Sequence, residues 1–221
     1  MRQRTRSHPR PRVAGVRRVT VPLVAYRDDG PIATSVRRTA TIGIASPVLT
    51  VLGVLAGAVG LLLDDGGPAS YAGVGLFVVL ATLGAAARRG GRMQWNVPPL
   101  LRIGEYGTVA VLAFRVDTTT MALAYVFLAI VAYHHYDIVY RLRHQNTAPS
   151  PLVTQLCGGW EGRTIVVALG AAAGALPPTL LALAGWCGAL YVSESLRSWM
   201  MPATGGATIT HAGAGIEEDA G

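Results

Sequence analysis

The sequence has no lysine. All 19 of its basic residues are arginine, and charged residues make up only 14% of the chain. It has two cysteines, Cys157 and Cys187, each alone at the edge of or inside an apolar run. With no partner at metal-ligand spacing, they indicate neither a disulfide framework nor a zinc site. There is no internal repeat, no Gly-rich phosphate loop and no nucleophile elbow, so the common signatures of nucleotide binding and serine hydrolysis are missing. The missing lysine, beside heavy use of Ala, Gly and Val, reflects GC-rich coding and carries no mechanism.

What the chain has instead is hydrocarbon. Hydrophobic residues make up 51% of the 221, and one apolar run follows another, which makes this a multi-pass membrane protein of the cell membrane. The net charge of +7 does not point to nucleic acid. Ten arginines fall within the first 38 residues, ahead of the first apolar run, so the expected partner is an anionic lipid surface.

Residues 1–38 read as an Arg-rich cytoplasmic tail and interfacial segment. Residues 39–199 read as an all-α transmembrane domain of six spans, and residues 200–221 as a disordered cytoplasmic tail. The expected spans are 40–63, 71–87, 98–114, 119–137, 157–176 and 179–197, with Pro177-Pro178 separating the last two. Arg37-Arg38 before the first run has a weak twin-arginine look, but a run of about 24 residues ending at Asp64-Asp65 exceeds a signal core and has no cleavage site. Arginines crowd the first 38 residues and the 88–102 and 141–163 loops, and the positive-inside rule then places both termini in the cytoplasm.

Near the cytoplasmic end of each of spans three to six lies one acid with an arginine close by: Arg102 and Glu105, Asp137 and Arg141, Glu161 and Arg163, Glu194 and Arg197. Spacings of three or four allow a local salt bridge in every pair except Glu161 and Arg163, which do not face each other along a helix. Ionisable groups inside a span are expensive and mark candidate sites. On a helix, His134, Asp137, Arg141 and His144 share a face roughly 80° wide, with Tyr133 and Tyr140 at its margin. Counted back from Arg115, Glu105 is the deepest acid, about 15 Å along the helix. It must pair, with Arg102 as the nearest partner, or hold its proton.

Five stretches, in order and covering about residues 26–199, carry a family resemblance: YRDDGPI from Tyr26, RMQWNVPPLLRIGEYG from Arg92, HHYDIVYRLR from His134, GWEGR from Gly159 and SESLRSW from Ser193. Together they resemble an uncharacterised actinobacterial membrane domain often fused to a sugar-nucleotidyltransferase-like module and a CDP-alcohol phosphotransferase module. The resemblance implies a possible CDP-alcohol phosphotransferase partner and no established activity. The phosphotransferase signature itself is not met: Gly84-x-x-Ala87-Arg88 is present, but Leu83 and Val97 replace its aspartate and later glycine, and its last two aspartates are missing.

The expected function is therefore an enzyme acting at the cytoplasmic face on an isoprenoid or phospholipid-type amphiphile, as a lipid or prenyl transferase or an acid-initiated cyclase. Glu105, His134, Asp137 and Glu161 are its candidate acid/base groups. Arg102, Arg141, Arg163, Arg197 and Tyr140 are the candidates for holding the head group. No cofactor or metal is expected; a metal on His134 and Asp137 would need a third ligand from Glu105, Glu161 or Glu194. The alternative is a non-catalytic membrane partner of a CDP-alcohol phosphotransferase.

Overall fold

The computed structural model describes residues 23–88, 91–145 and 149–200. The expected terminal tail at 200–221, and the arginines before residue 23, lie outside the described residues apart from Met200. A 3₁₀ turn at Leu23–Tyr26 leads to α1 (Pro31–Thr39), a short strand β1 (Ile42–Ala45), α2 (Ser46–Leu63) and α3 (Pro68–Ala86). Strand β2 (Ala87–Arg88) and a 3₁₀ turn (Gly91–Asn96) precede α4 (Val97–Phe114) and α5 (Thr118–Tyr140), which runs on as a π turn through Arg141–Gln145. The chain then forms α6 (Pro151–Leu156), α7 (Gly159–Ala172) and α8 (Leu176–Met200).

Proline sets most of the starts. It stands in the first turn of α1, α2, α3, α4, α6 and α8, where the N–H it lacks would be unsatisfied anyway and its φ already suits the helix. This corrects two boundaries. The first span does not begin at residue 40: Ile42–Ala45 is extended and pairs in parallel with Ala87–Arg88, because Pro47 stops the helix from propagating upstream. Pro177-Pro178 does not separate two helices but opens α8, the break falling at Ala173–Ala175.

The span expected over 157–176 is shortened to a helix over Gly159–Ala172. Gly158 and Gly159 both take left-handed φ, +75° and +59°, and end α6 before α7 begins.

Four described helices are long and apolar enough to cross a membrane: Ser46–Leu63, Pro68–Ala86, Thr118–His144 and Leu176–Met200. α4, with Arg102 and Glu105 in its 18 residues, and α7, with 14 residues, do not join them. α2 and α3 form a hairpin so close that a Cβ on Gly60 would lie 2.7 Å from the Cα of Gly73, and the reverse, the small-residue approach expected where helices gain nothing from excluding water. Asp64 closes its turn by accepting from the amides of Gly67 and Ala69 at 3.1 and 3.0 Å.

α4 runs back to this turn. Its C-terminal Arg115 donates to the Ser70 hydroxyl at 3.0 Å and to the Leu61 carbonyl. One apolar core joins α4, α5, α7 and α8 through Val109, Phe127, Val131, Val167 and Leu180; a second gathers Phe77, Ala81, Leu101 and Trp160.

Candidate functional site

The segment that precedes α1 is drawn into the helices as a strap, and Asp28 is its tip. Asp28 is the one described non-glycine residue with positive φ, +55°, a conformation aspartate tolerates better than most and one that persists only where its surroundings enforce it. The glycines at the α6–α7 break admit it. A Cβ on Gly30 would lie 2.1 Å from the Gly158 carbonyl oxygen, and one on Gly159 would lie 2.1 Å from the Gly30 nitrogen. The Trp160 amide donates to the Asp28 carbonyl at 3.2 Å. Both oxygens of Glu161 accept amides, from Gly30 of the strap and Ala33 of α1, at 3.0 Å each.

Behind Asp28 the buried charges interlock. Arg163 donates to Asp28 at 2.8 Å, to Glu105 at 2.6 Å and to the Tyr191 hydroxyl at 2.7 Å. Arg102 takes the other oxygen of Glu105 at 3.0 Å and the Arg27 carbonyl at 2.9 Å. Two carboxylates thus face two guanidinium groups, and no imidazole is needed to balance them. Burial pushes the Asp28 carboxyl up, but the Arg163 guanidinium and the adjacent imidazoles of His134 and His135 outweigh it and hold the carboxyl well below the usual carboxylate range.

The two histidines meet Asp28 differently. His134 lies flat on Tyr191, ring centroids 3.7 Å apart and planes 5° apart. Its Nε2, 3.5 Å from Oδ1 of Asp28, has no hydrogen-bond partner. The Nε2 of His135 is 3.3 Å from Oδ2 of Asp28, and its Nδ1 is 2.7 Å from the Tyr106 hydroxyl. Because the ionised Asp28 can only accept, Nε2 carries the ring proton and Nδ1 accepts from Tyr106. The result is a carboxylate, an imidazole oriented by it, and a hydroxyl within reach of that imidazole, the layout of an activated hydroxyl with its base and orienting acid. His135 also lines a cavity of about 140 Å³ together with Tyr26, Pro98, Pro99, Arg102, Ile138 and Val139.

Of the residues singled out in the sequence, Glu105, His134, Arg102, Arg163 and Glu161 come together around the strap. Asp137, Arg141 and Glu194 form a separate group: Arg141 bonds Asp137 and lies 3.2 Å from Glu194, which also accepts the Ser150 amide at 2.6 Å. Glu194 therefore pairs with Arg141 and not with Arg197, which is exposed. Tyr140 is exposed beside Tyr136 and His144. Among the described residues no three His, Cys, Asp or Glu side chains are placed to hold a metal. Cys157 and Cys187 are both buried and not in a disulfide.

The residues not singled out are Asp28, His135 and Tyr106. The sequence signal for Asp28 was its acidic pair Asp28-Asp29 before Gly30. Asp29 proves structural: it accepts from Arg27 at 3.0 Å, from Arg37 at 3.3 Å and from Trp160 at 3.2 Å.

Residues 17–218 match the model of a family of unknown function, DUF5941, and the chain belongs to that family. No curated protein and no solved structure matches it.

Proposed function

We propose that this member of the DUF5941 family is a membrane enzyme acting on an amphiphile of isoprenoid or phospholipid type, with His135 as its acid/base group and the Tyr106 hydroxyl as its proton or nucleophile partner. The observation that carries this reading is the Asp28–His135–Tyr106 chain, whose central imidazole lines a cavity. Within the cluster, Glu105 and Arg163 spend their hydrogen bonds on buried partners, whereas His135 and Arg102 line that cavity. Arg102 on the same wall supplies the positive potential that an anionic head group would meet, and Ile138 and Val139 supply apolar wall for the start of its chain. His134, with its unpartnered Nε2 beside Asp28, acts with Arg163 to keep that carboxylate ionised and in place. Glu105, engaged by two arginines, serves as a brace.

In this reading α4 and α7 complete a six-segment bundle with both termini on the cytoplasmic side. α4 leads from the Arg-rich 88–96 connection to the α2–α3 turn. α7 leads from the strap toward the start of α8. Their charged groups face inward to the cluster, as intramembrane charges do.

A second reading, the non-catalytic partner of a CDP-alcohol phosphotransferase, draws support from the mutual saturation of Glu105, Arg163 and Arg102. One experiment separates the two. Membrane lipids are extracted from a strain lacking the gene and from the same strain carrying wild-type protein, His135→Gln or Tyr106→Phe at matched membrane levels, and compared by mass spectrometry. The enzyme reading expects one amphiphile to accumulate in the deletion strain and in both variants, with turnover down by about 10²-fold or more. Full restoration of the wild-type pattern by both variants would reject it in favour of the partner.

A further inference from the structure

A second hollow, independent of the site above, lies on the opposite flank of α4. At 100° per residue, Gly104, Gly107 and Val111 stand about half a turn from Pro98, Pro99 and Arg102. The groove measures about 240 Å³, runs between α2 and α4, and has Phe77 of α3 in its lining. An apolar cavity of about 150 Å³ takes up a benzene molecule, so this one accommodates a longer piece of hydrocarbon. Thr108 is the one polar side chain among its lining residues, and its hydroxyl is spent on the Gly104 carbonyl at 2.7 Å. No unpaired polar group is offered to a water chain.

The glycines shape the groove. Gly104 is required by contact, since a Cβ there would lie 2.2 Å from the Phe77 ring. Gly107 is not: a Cβ there would meet nothing within 4 Å. Glycine is a poor helix residue, and at 107 the neighbouring protein atoms do not explain it. The hollow does.

One end of the groove is charged. Leu61 lines it, and the Leu61 carbonyl accepts from Arg115; Val111 lines it, and its carbonyl accepts the Arg115 amide at 3.3 Å. Among the described residues Arg115 is the one arginine at this end of the helices. Its ion partner Asp65, 3.6 Å away, is fully exposed, so water and salt weaken that pair and a phosphate competes with it readily. Hydrocarbon tails are as apolar as leucine, so a bilayer does not drive a tail into a groove by the hydrophobic effect. Contact with a concave wall and a fixed charge at its rim are what distinguish one lipid from the bulk.

We propose that this groove seats one acyl chain of an anionic phospholipid whose phosphate is held by Arg115. The test uses the full-length chain in phosphatidylcholine vesicles containing a trace of phosphatidylglycerol with a diazirine midway along one acyl chain. After irradiation, labelled peptides are mapped by mass spectrometry. Labelling is expected to concentrate on α2 and α4 around Leu61, Gly107 and Val111, and to be displaced by unlabelled phosphatidylglycerol at least about tenfold more effectively than by added phosphatidylcholine. Gly107→Leu, which fills the open side, and Ala58→Leu, at the exposed lip, should each remove that labelling from protein that still elutes as a folded species. Arg115→Gln should leave the tail labelling and abolish the preference for phosphatidylglycerol. Labelling spread evenly over the lipid-facing helices, labelling unchanged in both leucine variants, or equal competition by the two lipids would overturn the proposal.

Discussion

Removing the Arg163 guanidinium would strand Asp28 and Glu105 as buried carboxylates facing one arginine instead of two. Breaking a buried pair from one side costs about 3–5 kcal/mol, far more than the pair itself contributes, because the remaining charge is left without compensation. Arg163→Met is therefore expected to lower the thermal midpoint sharply in detergent, and adding Asp28→Asn and Glu105→Gln should recover much of the loss. Equal instability of the single and triple variants would show that packing around Arg163, not its charge, holds this region. The same denaturation series carries a pH signature. The folded-state pKa of Asp28 lies below its unfolded value, so its contribution is fully present above the unfolded pKa of about 3.9 and is lost as pH falls from there toward the folded value. Wild-type protein should lose stability on that acid limb, and Asp28→Asn should lose less.

At the scale of elements, the contact between the strap and the α6–α7 break decides whether the cluster forms. Gly30→Ala would drive a methyl into the Gly158 carbonyl and should expel the strap, with loss of folded protein measured by size exclusion and protease resistance. Gly162→Ala, one helical turn away, would meet nothing within 4 Å. As glycine to alanine inside a helix, it should be neutral or stabilise by up to about 1 kcal/mol. Similar damage from both would remove the strap from its central place.

Which of these elements were legible depended on range. Hydropathy located α2, α3, α5 and α8, and helix periodicity paired Arg102 with Glu105 and Asp137 with Arg141, because those partners lie within one turn. Asp28 and His135 were not legible as site residues. They are joined across 107 positions and Asp28 to Arg163 across 135, and no local period reports a contact of that range. The adjacent His134 shares a helix face with Asp137 and Arg141, while His135 turns toward Tyr106 of α4. Nor does any local pattern report that Gly158 and Gly159 receive the strap.

For the whole molecule, the arginine distribution makes a prediction about sidedness. A reporter fused after Gly221 should read as cytoplasmic, and one inserted between Asp65 and Gly67 should read as external. The reverse pattern would invert the bundle and place the His135 cavity outside and the Arg115 groove inside. Agreement at both sites, together with an external signal from a reporter between Arg115 and Thr118, would count α4 as a full crossing.

The strap also imposes an order in time. Asp28 leaves the ribosome 135 positions before Arg163, and at about 5–20 residues per second that interval is on the order of ten seconds. Throughout it the carboxylate has no guanidinium to receive it, and the amides of Gly30 and Ala33 have no Glu161. The nascent segment can be captured only after α7 arrives. The strap, translated ahead of the helices that hold it, is thus seated among the last, and a ribosome pausing between α5 and α7 would lengthen the period in which the interior remains open.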